Sequence, residues 1–186
     1  MSDSRPIRIL GIDPGLSKMG WGVIDVDGHH LSLVEFGSLK TSTDLPHSQR
    51  LLEIHQEVNR AISMHSPAIA AVEEVFHGKN PRSALLAGEG RAACILACSL
   101  AQLRVVELSA SAVKLGVTGS GRASKPQVQA MVQRILALDE APRPADAADA
   151  LAVAIVLAQR NRSSVVLSRD GTGGDSSGPR LDSRAE

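Results

Sequence analysis

Short runs of apolar residues, many of them β-branched, recur along the first 108 residues, and turn-forming residues separate them. Runs of this length and composition are typical of strands buried in a sheet. We predict five strands, over residues 7–12, 20–26, 31–39, 68–76 and 104–108. The first three follow one another after short turns, which predicts an antiparallel meander.

Longer segments carry apolar residues at the spacing of a helix. They predict helices over residues 46–63, 83–100, 124–136 and 145–160. Ser124 and Gln127 have the spacing of a capping box at the start of the third of these helices. The polar, glycine-containing segment 116–124 is predicted to be a loop.

The order of these elements predicts an α/β fold, because three meander strands are followed by alternating helices and strands. Its centre is expected to be a mixed five-stranded sheet flanked by helices. A chain of 186 residues is long enough for one domain with a substantial core, which we assign to residues 1–162. Residues 163–186 are rich in Ser, Gly and Arg, so we predict a disordered tail there.

Charge is distributed unevenly, although the formal net charge is zero. Between residues 79 and 134 the only acids are Glu89 and Glu107. The bases of that segment are Lys79, Arg82, Arg91, Arg104, Lys114, Arg122, Lys125 and Arg134. This pattern predicts a basic face next to an acidic centre, not a uniformly basic protein.

Cys94 and Cys98 lie four residues apart in an apolar helical segment. A disulfide within one helical turn is disfavoured, and no second ligand pair completes a zinc site. We interpret both as buried thiols in a reducing cytosol. The sequence shows no signal peptide and no long apolar span, so we expect a cytoplasmic protein without a membrane partner.

Four acidic residues lie where burial would be costly. Asp13 ends the first strand, just before a Pro-Gly turn, and Glu73 lies near the end of the fourth strand. Asp146 and Asp149 are three residues apart, so they share one face of a helix that is otherwise apolar. Buried carboxylates need a counter-ion or hydrogen-bond donors. Oxygen ligands without His or Cys favour Mg²⁺ or Mn²⁺.

Two ordinary explanations of these acids stay open at this point. Asp13 is also the kind of residue that caps a turn before Pro-Gly. Asp146 and Asp149 lie near a helix N-terminus, where the helix dipole favours acidic side chains.

Four motifs follow one another along the chain. They are Gly11-Ile12-Asp13-Pro14-Gly15 with Gly20-Trp21-Gly22-Val23, Val72-Glu73-Glu74-Val75-Phe76 before Lys79-Asn80, Ser124-Lys125-Pro126-Gln127-Val128-Gln129, and Asp146-Ala147-Ala148-Asp149-Ala150-Leu151-Ala152. Taken in this order, they resemble the Holliday-junction resolvase family RuvC. The resemblance extends from about residue 9 to residue 160. It implies a ribonuclease H-like fold and a homodimer that cuts four-way DNA junctions symmetrically. It also implies the RuvA–RuvB branch-migration complex as a partner.

The resemblance implies catalytic and metal-binding roles for Asp13, Glu73, Asp146 and Asp149, but not for Glu74. We expect two Mg²⁺ ions per subunit, replaceable by Mn²⁺, roughly 3.5–4 Å apart and bridged by Asp13. Each nick is expected to leave a 5′-phosphate and a 3′-hydroxyl.

Five further residues are expected to bind DNA, namely Phe76, Lys79, Lys114, Arg122 and Lys125. Lys114 and Lys125 would hold phosphates near the scissile bond, and the alternative for each is an ordinary solvated lysine. Phe76 is interpreted as a base-stacking or wedge residue. The alternative for Phe76 is a core aromatic at the end of a strand.

One segment departs from the family pattern. This chain has Gly88-Glu89-Gly90-Arg91 where relatives tend to have Gly-Gln-Ala-Arg. A glycine inside a helix costs about 1 kcal/mol relative to alanine. The local stability or packing of the helix over residues 83–100 is therefore expected to differ from that of relatives.

That same helix has apolar or small residues around most of its surface. One sheet can cover only one side of it, so we expect the other side to meet a second copy of the chain. Neighbouring helices of the same chain are the alternative cover.

Three other functions fit parts of the pattern. Sugar kinases and actin-like ATPases open with a similar strand and turn but duplicate the domain, for which this chain is too short. A junction-binding protein without catalysis is disfavoured by the four intact acids. Another ribonuclease H-like nuclease, acting on RNA or RNA–DNA hybrids, is the main alternative to a junction-resolving endonuclease of recombination and repair.

Overall fold

The computed structural model describes residues 6–74 and 81–169. Its strands are β1 (Ile7–Asp13), β2 (Lys18–Asp27), β3 (His30–Lys40), β4 (Ile69–Glu73) and β5 (Val105–Leu108). Its helices are α1 (His47–His65), α2 (Pro81–Leu100), α3 (Ala110–Thr118), α4 (Lys125–Ile135) and α5 (Ala145–Arg169). The predicted capping box between Ser124 and Gln127 is present at the start of α4.

The strands form one five-stranded sheet in the order β3-β2-β1-β4-β5. The meander β1-β2-β3 is antiparallel, whereas β4 lies parallel to β1 and β5 lies parallel to β4. The predicted mixed sheet flanked by helices is therefore confirmed. Because β1 and β4 run in the same direction, their carboxyl ends meet at one edge of the sheet.

Two apolar layers cover the faces of this sheet, as the strand pattern requires. On one face, Ile9, Ile24 and Ala71 pack against α5, which contributes Leu151 and Ile155. On the other face, α1 and α2 cover a layer that includes Leu10, Ile12, Val23 and Val72. Both layers end at the carboxyl edge of β1 and β4, where Asp13 and Glu73 lie.

Cys94 and Cys98 lie in the second of these layers as free, buried thiols, as predicted. Burial raises the pKa of Cys94 well above its ordinary value and raises that of Cys98 to about 11. Both side chains therefore stay protonated and act as packing groups.

The described elements agree with the predicted ones to within two residues except in three places. Helix α3 was not predicted, and it includes residues 116–118, which were assigned to a loop. The fourth strand ends at Glu73, so its predicted extension is wrong at Glu74, and 75–76 lie outside the described residues. Helix α5 continues to Arg169, so the expected tail from residue 163 begins inside a helix. Residues 170–186 lie outside the described residues.

Among the described helices, only α2 is long and apolar enough to cross a membrane, by length and composition alone. Leu85, Leu96 and Leu100 are 64%, 54% and 68% exposed, and they lie on one side of α2. Because exposed apolar patches mark interaction sites, we expect another molecular surface to pack against this stripe.

Gly90 in α2 has a packing role in this fold. It is buried, and a Cβ built on it would lie 2.7 Å from the backbone nitrogen of Leu16 and 2.8 Å from the carbonyl carbon of Gly15. The glycine thus lets α2 lie directly on the turn that follows Asp13.

We predict that Gly90→Ala lowers the free energy of unfolding, although alanine is the better helix former by about 1 kcal/mol. The added Cβ would meet backbone atoms, which cannot rotate away, and overpacking costs about 1–3 kcal/mol. Urea unfolding followed by circular dichroism measures the difference. The matched control is Gly88→Ala in the same helix. A Cβ at residue 88 meets nothing within 4 Å, so this substitution should raise the free energy of unfolding. Equal gains from both substitutions would show that α2 does not press on the turn.

Candidate active site

The first two acids of the site are placed by the sheet. Asp13 is the last residue of β1 and Glu73 is the last residue of β4. In the parallel register Ile12 pairs with Val72, so the two acids leave neighbouring strands side by side. Both side chains are half-buried, whereas the next residue, Glu74, is exposed and donates its backbone N–H to Leu108.

The other two acids are placed by a helix that lies unusually close to the sheet. Gly11 and Gly20 face α5, and a Cβ at either position would overlap backbone atoms of that helix, including the carbonyl oxygen of Asp146 at Gly20. Only glycine permits this approach. This approach sets the start of α5, with Asp146 in its first turn and Asp149 three residues later, over the end of β1.

The four acids form one cluster at this edge. Single carboxylate oxygens of Asp13, Asp146 and Asp149 lie within 4.8 Å of one another and could hold a metal ion. Glu73 is close enough that the Asp149 charge raises its pKa. The donor set is all carboxylate oxygen, without His or Cys, which suits a hard divalent cation. The two ordinary explanations of these acids do not account for this convergence.

Electrostatics of the cluster also favour a cation. Burial raises the pKa of Asp13 to about 8, and the charges of Glu73 and Asp149 add to the effect while Lys125 opposes it. Burial and the Asp149 charge raise the pKa of Glu73 to about 7, against the opposing charges of Lys125 and Lys114. Desolvation and like charge together disfavour four ionised carboxylates unless positive charge is added.

Two lysines border the cluster from different helices. Lys125, the first residue of α4, donates from Nζ to Oδ2 of Asp149 at 2.9 Å. Its side chain is 67% exposed, so this ion pair adds little stability and leaves the ammonium accessible. Lys114 of α3 is half-buried and lowers the pKa of Glu73. The structure thus brings both predicted lysines to the acids.

The remaining predicted DNA-binding residues are distributed differently. Phe76 and Lys79 lie outside the described residues. Arg122 is exposed on the connection between α3 and α4, where it borders a separate cavity with Arg134. Sequence reasoning gave Arg134 no individual role, although its position seven residues after Gln127 places both on one face of α4.

Comparison with known proteins settles the family. A family model described as crossover junction endodeoxyribonuclease RuvC matches residues 9–157. The chain belongs to the RuvC family. The curated RuvC of Afipia carboxidovorans is 44% identical over 88% of this chain and 95% of its own length. The RuvC of Chloroflexus aggregans is 47% identical over 80% of this chain and 91% of its own length.

Solved structures agree with this assignment. Thermus thermophilus RuvC in complex with Holliday junction substrate superposes with a TM-score of 0.80 and 34% identity, covering 85% of this chain and 96% of that one. The yeast mitochondrial resolvase Ydc2 shares the fold alone, with a TM-score of 0.63 and 14% identity, over 91% of this chain and 85% of that one. The expected ribonuclease H-like fold is thereby confirmed.

Membership of the RuvC family makes this chain a crossover junction endodeoxyribonuclease, a hydrolase that acts on DNA. The predicted function of a Holliday-junction resolving endonuclease is confirmed, and a nuclease for RNA or RNA–DNA hybrids is not favoured. The family is metal-dependent, which agrees with the acidic cluster found here.

The raised pKa values predict how the metal-free protein responds to pH. Asp13 and Glu73 have folded pKa values of about 8 and about 7, above the ordinary values of 3.8 and 4.5. Between about pH 4 and pH 8 the folded state therefore keeps protons that the unfolded chain has released. The free energy of unfolding should fall as pH rises through this interval, and Mg²⁺ at pH 8 should restore it.

Thermal unfolding at pH 5 and pH 8, with and without Mg²⁺, measures this dependence. Asp13→Asn should flatten it, because the amide does not ionise. Asp139→Asn, an exposed acid outside the cluster, should leave it unchanged. A metal-free protein that becomes more stable between pH 5 and pH 8 would show that these carboxyls are not buried together.

Proposed function

We propose that this protein resolves four-way DNA junctions as a homodimer, each subunit cutting one of two strands of like polarity with the help of Mg²⁺. The observation that carries the proposal is the cluster of Asp13, Asp146 and Asp149 at the edge of the sheet, with Glu73 beside it. In a RuvC family member such a cluster is the natural place for phosphodiester hydrolysis.

Asp13, Glu73, Asp146 and Asp149 would hold two Mg²⁺ ions, for which Mn²⁺ could substitute. The ions would supply an activated water, charge relief at the phosphoryl oxygens and stabilisation of the leaving oxygen, as in other two-metal sites. Asp13 ends the central strand and is affected by the charges of the other three acids, so it would be the central ligand of the metal site.

The chain's own contribution is to position the DNA and to shape the charge of the site. Lys125 can exchange its hydrogen bond with Asp149 for a phosphate oxygen, because most of its side chain is exposed. Lys114 approaches the acids from α3, on the side of Glu73. Both would contact phosphates near the scissile bond, and Phe76, Lys79 and Arg122 are also proposed to bind DNA.

The dimer is supported by the exposed stripe of α2, which includes Leu85, Leu96 and Leu100. A two-fold axis at this stripe would pair it with its own copy. Two sites related by symmetry are what a junction needs for paired nicks of like polarity. We also propose the RuvA–RuvB branch-migration complex as a partner and the cytoplasm as the location.

Cleavage of three labelled substrates side by side tests the proposal. A four-way junction, a linear duplex of the same sequence and an RNA–DNA hybrid should be incubated with and without Mg²⁺. We expect paired nicks in the junction alone, in Mg²⁺ or Mn²⁺ but not in EDTA. Preferential cutting of the hybrid, or equal cutting of the duplex, would overturn it.

A further inference from the structure

A cavity of about 470 Å³ lies where the end of α3 meets α4. It is separate from the acidic cluster, and Arg122 is the one residue of its lining that the proposed function assigns to DNA binding. Its lining includes Thr118, Ser120, Arg122, Gln127, Met131 and Arg134. Its volume is within the range of small-molecule binding sites and exceeds what a single inorganic anion needs.

Hydrogen-bond donors dominate the polar lining of this cavity. Arg122 and Arg134 are exposed, and neither guanidinium has a hydrogen bond or ion pair with another residue of the described part of the chain. The Gln127 side-chain oxygen accepts from the backbone N–H of Ser124 at 2.8 Å, which leaves the amide nitrogen of Gln127 to donate elsewhere. The Ser120 hydroxyl accepts a backbone N–H, which leaves its proton available.

No acidic side chain is among the residues that line the cavity within the described ranges. A lining with two unpaired guanidinium groups, an amide and a hydroxyl suits an anion and excludes a cation. Met131 and Ala130 supply an apolar wall beside these donors. A nucleotide unit matches this lining, because its phosphate would accept from the donor groups and its ring would pack against the apolar wall.

The cavity also lies close to one lysine of the active site. On α3, Lys114 and Thr118 are four residues apart, so they share a face and are separated by about 6 Å along the helix. Lys114 is close enough to Glu73 to lower the pKa of that carboxyl, and Thr118 lines the cavity one turn farther on. On α4, Arg134 lies about 14 Å along the helix from Lys125, which contacts Asp149, and nine residues place Arg134 on the opposite side of that helix.

We propose that this cavity binds a phosphodiester of the junction's DNA outside the scissile step, with Arg134 and Arg122 as its cations. The inference rests on the proposed function for the identity of the DNA. Arg134 would position an arm of the junction relative to the acidic cluster and would not touch the reacting atoms. The same chemistry could come from a free phosphate or mononucleotide, so the test must separate these sources.

Salt dependence of junction binding in EDTA, where no cleavage is expected, is the first measurement. The logarithm of the association constant falls linearly with the logarithm of the salt concentration. Arg134→Gln should make this slope less steep by about 0.9, which is the change expected for one lost phosphate contact. The matched control is Arg104→Gln, an exposed arginine just before the amino end of β5, at the opposite edge of the sheet. An unchanged slope in Arg134→Gln, or an equal change in both variants, would overturn the proposal.

Side-chain Nε–H resonances of the arginines identify the source of the phosphate. The resonance of Arg134 should shift when the protein is titrated with a four-way junction and with a thymidine dinucleoside monophosphate. Inorganic phosphate should shift it less at equal concentration. A shift with inorganic phosphate that the junction does not produce would show a site for free phosphate, contrary to the proposal.

The two proposals fail separately in these experiments. If the protein binds junctions with a salt dependence that requires Arg134 but cuts none of them, the proposed function is overturned and the phosphodiester site is retained. If the protein cuts junctions and the salt dependence of binding does not require Arg134, the phosphodiester site is overturned and the proposed function is retained.

Discussion

Replacing any one of the four clustered acids by its amide should reduce junction cleavage by roughly 100-fold or more, the scale of losing one preorganised electrostatic contact to a transition state. The substitutions are Asp13→Asn, Glu73→Gln, Asp146→Asn and Asp149→Asn. Each keeps the shape of the side chain and removes a charge that would hold the metal ions. Single-turnover cleavage of a labelled junction in Mg²⁺ gives the rate.

Junction binding should survive the same substitutions, because it depends on basic residues and not on the acids. A gel-shift titration in EDTA separates binding from chemistry. Glu74→Gln is the matched control, since Glu74 follows Glu73 directly but is exposed. Near-wild-type cleavage by any of the four variants would remove that acid from the site. Damage by Glu74→Gln equal to that of Glu73→Gln would show that the wrong neighbour had been assigned.

A charge on the exposed stripe of α2 should separate the subunits. Leu96 is 54% exposed and Leu85 is 64% exposed, so Leu96→Glu or Leu85→Glu disturbs little within one chain. At a dimer interface the same charge would be buried without a partner, which costs about 3–5 kcal/mol and weakens the dimer roughly 100-fold or more. Sedimentation equilibrium measures this change, and nick mapping should then show one cut strand in place of two.

The control for this experiment is Met64→Glu, another exposed apolar residue, 57% exposed at the end of α1. It should leave the dimer and the paired nicks unchanged. A wild-type protein that sediments as a monomer at concentrations that cut junctions, even with junction DNA present, would overturn the dimer.

The choice of these leucines required the structure. The sequence showed that α2 is apolar or small on nearly every side, so it could not show which side faces the protein's own core. In the fold, Leu86 and Ala93 are half-buried in the layer beneath α2, whereas Leu85 and Leu96 remain exposed. A glutamate at Leu86 or Ala93 would therefore test folding more than assembly.

The strands were predictable because their pattern is local. Short β-branched runs separated by turns identified the β1-β2-β3 meander and the two later strands, and Asp13 was recognisable as an acid at a strand end. Helix α3 was missed because its nine residues carry a glycine at 116 and lead into a polar turn. Ser109 caps its start, accepting the N–H of Ala112 at 3.3 Å, and α5 covers its apolar face.

Gly90 shows the limit of local propensity most clearly. Helix propensity alone counts this glycine as a defect in α2. The fold makes it a contact surface, because the turn after Asp13 occupies the space where a Cβ would lie. Which of the two views applies depends on a neighbour more than 70 positions away in the chain.

By itself, the sequence determined which residues carry charge, which segments are apolar at strand or helix spacing, and which motifs match the family. The tertiary structure decided which of those charges meet. Parallel pairing of β1 with β4 set Glu73 beside Asp13, and the glycines of β1 and β2 let α5 approach closely enough to add Asp146 and Asp149. Such contacts join residues far apart in the chain, and their geometry depends on packing between elements, which hydrophobic periodicity does not encode.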